Sequence, residues 1–185
     1  MASWLRTWCA SCVTPSTSDN RVLTHTNTAQ DTEDLGWQLA CARPAAERAL
    51  AVLYLQGDLG AGKTTFARGF LRGFGITGPV RSPTYTIIEP YSPAELTILH
   101  VDLYRLRSAE ELEMLGLREW AREGCVWLIE WPERGAGHLP LPDITLSFAI
   151  AEAGHDVEVK ALSARGRAWL QQLTGDAVEK DAATP

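Results

Sequence analysis

Lys63 and Thr64 close the run Gly57-Asp58-Leu59-Gly60-Ala61-Gly62-Lys63-Thr64, which fits G-x-x-x-x-G-K-[ST]. Residues of these types at this spacing hold phosphate. Glycines let the backbone curl through positive φ, so that successive N–H groups face one concavity suited to an anion. The Lys63 ammonium supplies a point charge for the β- and γ-phosphates, and the Thr64 hydroxyl is an oxygen ligand of the kind Mg²⁺ accepts.

Such a loop needs acids for the metal and for water. Glu130 stands where the apolar run Cys125-Val126-Trp127-Leu128-Ile129 ends, the place of a metal-holding acid at the carboxyl end of a buried strand. The competing reading is a strand-end charge that reaches solvent. Asp102, in His100-Val101-Asp102-Leu103-Tyr104-Arg105, is the second candidate, to orient water or hold the metal through water, against simple pairing with Arg105 or Arg107. Thr84 and Thr86 could contact the γ-phosphate or metal as a switch does. His100 reads as a satisfied structural histidine, and Trp131 as either core or an interaction anchor.

The elements that must position these groups follow from pattern. Leu50 to Leu55 is a buried strand leading into the loop, and Thr64 to Arg72 a helix leading out, ended by Gly73 and Gly75. Before them come a short strand at Arg21 to His25 and a helix capped by Thr28 or Asp31, with Leu35, Leu39 and Ala40 on its apolar face. After them, Gly78 to Thr86 breaks regular structure, and Thr86 to Tyr91 pairs with Leu96 to Tyr104 as a hairpin. Ser108 with Glu111 forms a capping box for a helix through Leu115; Leu117 to Arg122 is a second short helix. Cys125 to Ile129 is a central parallel strand, and Ile144–Ile150 with Asp156–Leu162 make a second hairpin before an amphipathic helix at Ala164 to Leu173. The expected fold is α/β: a single P-loop-type domain with a parallel-centred sheet, antiparallel edge hairpins and flanking helices.

A chain of 185 residues with 45% hydrophobic and 22% charged residues has room for one domain with a full core. Residues 21–173 form that domain. Residues 1–20 are expected to be a disordered extension or to precede the true start, with Thr14 to Asn20 a flexible lead-in, and 174–185 to be a disordered tail. A net charge of −6 disfavours a broad nucleic-acid-binding face. Arg68 and Arg72 read as a solvated helix face, with a local basic patch as the alternative. Four cysteines make no disulfide framework at this length: Cys41 and Cys125 read as buried thiols, and Cys9-Ala10-Ser11-Cys12 has C-x-x-C spacing with no second pair. With no disulfide framework a reducing, cytoplasmic setting is expected, and no run approaches the ~18 apolar residues of a membrane span.

In order and spacing, the loop with Thr65, Ser82-Pro83-Thr84-Tyr85-Thr86, His100 to Arg105, and Ile129-Glu130-Trp131-Pro132 resemble the TsaE family, over about Val22 to Leu173. That family comprises ATPases needed to make N6-threonylcarbamoyladenosine beside the anticodon of tRNAs reading codons that begin with A. The resemblance implies ATP contact by Gly60, Ala61, Gly62, Lys63, Thr64 and Thr65, and Mg²⁺ held by Thr64 and Glu130. It implies that Asp102 serves hydrolysis with Lys63, that Trp131 lies beside the nucleotide, and that the base lies near Thr28. It also implies partners TsaB and TsaD, with tRNA contacted through them. A small-molecule kinase, or a binding module in which hydrolysis is incidental, would use the same loop; no Arg-rich lid for the former stands out.

Overall fold

The computed structural model describes residues 13–18, 20–44 and 48–181, so the C-x-x-C pair at Cys9 and Cys12 lies outside the described residues. Eight strands are described: β1 (Val13–Ser18), β2 (Arg21–Thr26), β3 (Ala51–Gly57), β4 (Ile88–Tyr91), β5 (Thr97–Asp102), β6 (Cys125–Glu130), β7 (Ile144–Ile150) and β8 (His155–Ala161). They form one sheet in the order β1-β2-β8-β7-β3-β6-β5-β4. The centre, β7-β3-β6-β5, is parallel, and every pairing outside it is antiparallel. This is the α/β arrangement expected. β6 is buried at every position because both faces of the centre are covered, which is why it reads as an unbroken apolar run.

One face is covered by helices α1 (Ala29–Cys41), α2 (Lys63–Gly73) and α4 (Ala164–Asp181). Leu35, Leu39, Phe66, Phe70 and Trp169 meet Leu53, Leu128, Leu146 and Val159 there. Thr28 and Asp31 both serve at the start of α1: the Thr28 hydroxyl accepts from Asp31 N at 3.1 Å, and the Asp31 carboxylate accepts from Thr28 N at 3.0 Å. The opposite face is covered by short pieces. Leu103, Leu106, Leu112 and Leu117 lie over Val52, Leu99, Val101, Trp127 and Ile129.

Helices α1 and α2 meet backbone to backbone. A Cβ added at Gly69 would lie 1.8 Å from the Glu33 carbonyl oxygen, and one at Gly36 would lie 2.2 Å from that of Phe66. Glu33 also takes both arginines of α2: Arg68 Nη1 is 2.7 Å from its Oε1, and Arg72 binds its Oε2. These arginines therefore clamp two helices and form no basic patch. Gly69→Ala must push the helices apart, and a loss of about 3 kcal/mol is expected. Urea unfolding checks it, and an unchanged midpoint would contradict the close approach.

Several expectations need correction. Helix α3 spans only Glu111–Met114 and receives no side-chain cap. The Ser108 hydroxyl is spent on Glu110, whose carboxyl it holds below the usual range, while Glu111 accepts from Arg107 N at 3.4 Å. Leu117–Trp120 is a single 3-10 turn, entered through Gly116. Cys41 is exposed at the last position of α1, whereas Cys125 is buried. Regular structure also reaches further than expected at both ends, since β1 occupies Val13–Ser18 and α4 continues to Asp181.

Candidate functional site

β3 ends at Gly57, and the chain turns through Gly60 and Gly62 (φ 82° and 99°) into α2. Gly62 is the residue at the helix start, so its left-handed conformation aims the first free N–H groups of α2 into the turn. A cleft of about 270 Å³ opens there, lined by Gly60, Gly62, Lys63, Thr64 and Thr65 from the loop and by Ser82, Thr84, Asp102, Tyr104, Glu130 and Trp131. Of the run Gly60 to Thr65 only Ala61 lacks a place in this lining, because its side chain is turned into the core.

The acids arrive by strand register. β5 and β6 run parallel with Asp102 opposite Glu130, so both carboxylates emerge at the carboxyl ends of adjacent central strands, on the α2 side. Thr64 Oγ1 lies 3.0 Å from both Glu130 Oε1 and Oε2. His100 Nε2 lies 2.9 Å from Glu130 Oε1. Glu130 is 2% exposed, which removes the reading of a charge reaching solvent. Asp102 pairs with neither Arg105 nor Arg107 in the contacts it makes here. Its Oδ2 accepts from Thr84 Oγ1 at 2.9 Å and from Ser82 Oγ, and its Oδ1 accepts from Tyr104 N at 2.9 Å.

Lys63 Nζ donates to the carbonyls of Gly57 (2.6 Å) and Asp58 (2.8 Å) and sits 3.9 Å from the centre of the Trp131 ring. Burial lowers its pKa from the ordinary lysine value, while the carboxylates of Glu130, Asp102, Glu133 and Asp58 pull the other way. Trp131 has φ 59°, a left-handed conformation uncommon for a bulky residue. It sets the ring in the cleft, 5.0 Å from Tyr104, so Trp131 is a wall of the site. Ile87, also at positive φ (65°), closes the Ser82–Thr86 stretch, with its N–H on the Pro83 carbonyl at 2.6 Å. Thr84 reaches the cleft; Thr86 is absent from its lining.

Three residues given no role at the site from sequence belong here: Ser82 and Tyr104 line the cleft, and His100 touches Glu130. His100 is not the satisfied structural histidine expected, since its Nδ1 is buried without a partner. The signal lay in the alternation of β5, which puts His100 and Asp102 on one face. A larger cavity of about 600 Å³ lies over β2, β8 and β7, and its lining residue Phe148 pairs with Gly57 at the start of the loop. Its charged groups are paired, His25 with Asp156 within the lining at 2.7 Å and Glu158 with Arg21 outside it at 2.5 Å.

Hard oxygen donors at Thr64 and Glu130, beside a phosphate loop, suit Mg²⁺. No cluster of three or more His, Cys, Asp or Glu fit for a metal occurs among the described residues.

A parallel-centred α/β sheet with this loop between β3 and α2, and acids at the ends of β5 and β6, defines a P-loop-type protein. The sequence model of the family described as "Threonylcarbamoyl adenosine biosynthesis protein TsaE" matches residues 26–159. The chain belongs to the TsaE family. It is similar to the tRNA threonylcarbamoyladenosine biosynthesis protein TsaE of Haemophilus influenzae, with 46% identity over 121 residues, 65% of this chain and 76% of that protein. The protein of the same name from Bacillus subtilis is 44% identical over 121 residues, 64% of this chain and 72% of that one. Among solved structures, Bacillus subtilis YdiB superposes with a TM-score of 0.66 at 28% identity, covering 87% of this chain and 96% of that one.

Proposed function

We propose that this protein binds and slowly hydrolyses ATP with Mg²⁺, acting through a TsaB–TsaD complex in the formation of threonylcarbamoyladenosine on tRNA. The observation that carries the reading is the convergence of Lys63, Thr64, Asp102 and Glu130 on one cleft at the glycine loop. Loop N–H groups and Lys63 bind the phosphates, and Lys63 leaves the Gly57 and Asp58 carbonyls to do so. Thr64 and Glu130 would hold Mg²⁺, which neutralises phosphate charge when bound. Asp102 orients the attacking water once a hydroxyl of Ser82 or Thr84 releases its Oδ2. That release is the step by which the Ser82–Thr86 stretch senses the γ-phosphate and reports it to a partner. Membership of the TsaE family supports the tRNA pathway and the partners, and the chain's negative charge suits a protein that leaves tRNA contact to them. No helix among the described residues is long and apolar enough to cross a membrane, and a cytoplasmic site of action completes the proposal.

The test is ATP hydrolysis by the purified protein, alone and with TsaB–TsaD. Slow turnover alone, with faster hydrolysis or tighter nucleotide binding in the complex, is the expected result. Indifference to the partners would overturn the coupling, and failure to bind Mg²⁺–ATP would overturn the whole reading.

A further inference from the structure

The buried histidine on β5 makes a contact for which core packing alone gives no reason. Ile98 and Leu128 face the α2 side, whereas Leu99, Val101 and Ile129 face the other. Alternation therefore puts His100, Asp102 and Glu130 together on the α2 side, with His100 one step deeper than either acid. Its side chain has no exposed surface, and that of Glu130 is 3% exposed. A carboxylate so buried needs donors. Thr64 Oγ1 reaches both oxygens, and His100 Nε2 reaches Oε1. Nδ1 has neither donor nor acceptor near it, and a proton there would be buried unpaired. The pattern thus assigns the ring proton to Nε2, donating to Glu130.

We propose that His100 is a positioning residue for the metal site: it pins Glu130 Oε1 from below, so that Oε2 faces the cleft and Thr64. The Thr64 hydroxyl has one proton for the two Glu130 oxygens, so while a lone pair meets a cation it can donate to only one of them. When Thr64 turns, His100 is the protein donor that keeps the carboxylate from rotating, the role that an outer hydrogen bond has for a ligating carboxylate. The inference rests on the reading of Thr64 and Glu130 as the Mg²⁺ ligands.

The experiment compares ADP dissociation constants in Mg²⁺ and in EDTA, by titration calorimetry, for wild type, His100→Leu, His100→Gln, His100→Asn and Glu130→Gln. Leucine keeps bulk without the donor, glutamine carries a donor at the reach of Nε2, and asparagine falls short of Glu130. The gain in affinity on adding Mg²⁺ is expected to drop about tenfold or more in His100→Leu and His100→Asn and to recover in His100→Gln, with EDTA affinities within about twofold of wild type. If His100→Leu does not fold, the contrast between Gln and Asn carries the same test. An unchanged Mg²⁺ gain without the donor, or equal losses in Mg²⁺ and EDTA, would overturn the proposal. Should Glu130→Gln alone lose the gain, the positioning role fails and the metal reading stands. Should Glu130→Gln keep it, the metal reading fails and takes the proposal with it.

Discussion

Lys63→Met is expected to erase nucleotide-induced stabilisation while leaving the nucleotide-free protein within about 1 kcal/mol of wild type. Wild type at a hundred times its dissociation constant gains about 2.7 kcal/mol, roughly 5–10 °C for a domain of this size. Lys63 is the loop's one ammonium, and phosphate charge would have no comparable partner in the variant. Without nucleotide the balance differs. Lys63 Nζ donates to two loop carbonyls and lies over Trp131, yet burial opposes its charge. Methionine fills the same slot with no charge to desolvate. Thermal unfolding with and without ATP and Mg²⁺ reads both effects, and a wild-type shift in the variant would sink the assignment.

The same substitution has a pH signature whose sign is set by the lowered pKa. Between the folded and unfolded pKa values of Lys63 the unfolded chain holds more protons, so stability rises with pH in that window. The charged form is a cost to the fold below it, relieved as pH climbs toward the ordinary lysine value. Wild type should therefore gain on Lys63→Met as pH is raised into the alkaline range, where methionine contributes no titration.

What the sequence revealed of this site is what is encoded locally. A loop that must place glycines, a lysine and a threonine at fixed offsets carries its chemistry in one short run, and Gly57 to Thr64 does so. Glu130 was legible because a strand buried on both faces reads as uninterrupted apolar residues, so an acid at its end stands out. The contact of His100 with Glu130 was not, because it depends on the parallel register of β5 against β6, and no periodicity within either strand states a register. For the same reason Arg68 and Arg72 looked like a solvated face: their partner Glu33 comes from α1 across a helix contact permitted by Gly36 and Gly69. Ser108 failed differently. A capping-box pattern is only one use of a hydroxyl, and here the Glu110 carboxylate took it. Cys41 shows the limit of composition, since an apolar neighbourhood in sequence did not bury the final residue of a helix.

Asp102→Asn is the substitution that separates holding a nucleotide from hydrolysing it. Asp102 is 3% exposed, and both its oxygens are engaged: Oδ2 by Ser82 and Thr84, Oδ1 by Tyr104 N. Asparagine has the same shape. Its oxygen can keep the Tyr104 amide, and its NH₂ can donate to the hydroxyls of Ser82 and Thr84, which accept as readily as they donate. The local fold should therefore survive, and the loop and Lys63, the phosphate-binding groups of the proposed function, are untouched. What disappears is the negative charge that, on the same proposal, orients the attacking water. On the function proposed above, hydrolysis should fall by roughly 10²- to 10⁴-fold, while the dissociation constant for Mg²⁺–ATP moves by no more than about threefold. Single-turnover hydrolysis beside a binding titration separates the two quantities. Hydrolysis at the wild-type rate would remove Asp102 from the chemistry. A matching loss of binding would make it a strut for the Ser82–Thr86 stretch, and the link between that stretch and the γ-phosphate would then have to run through Thr84 alone.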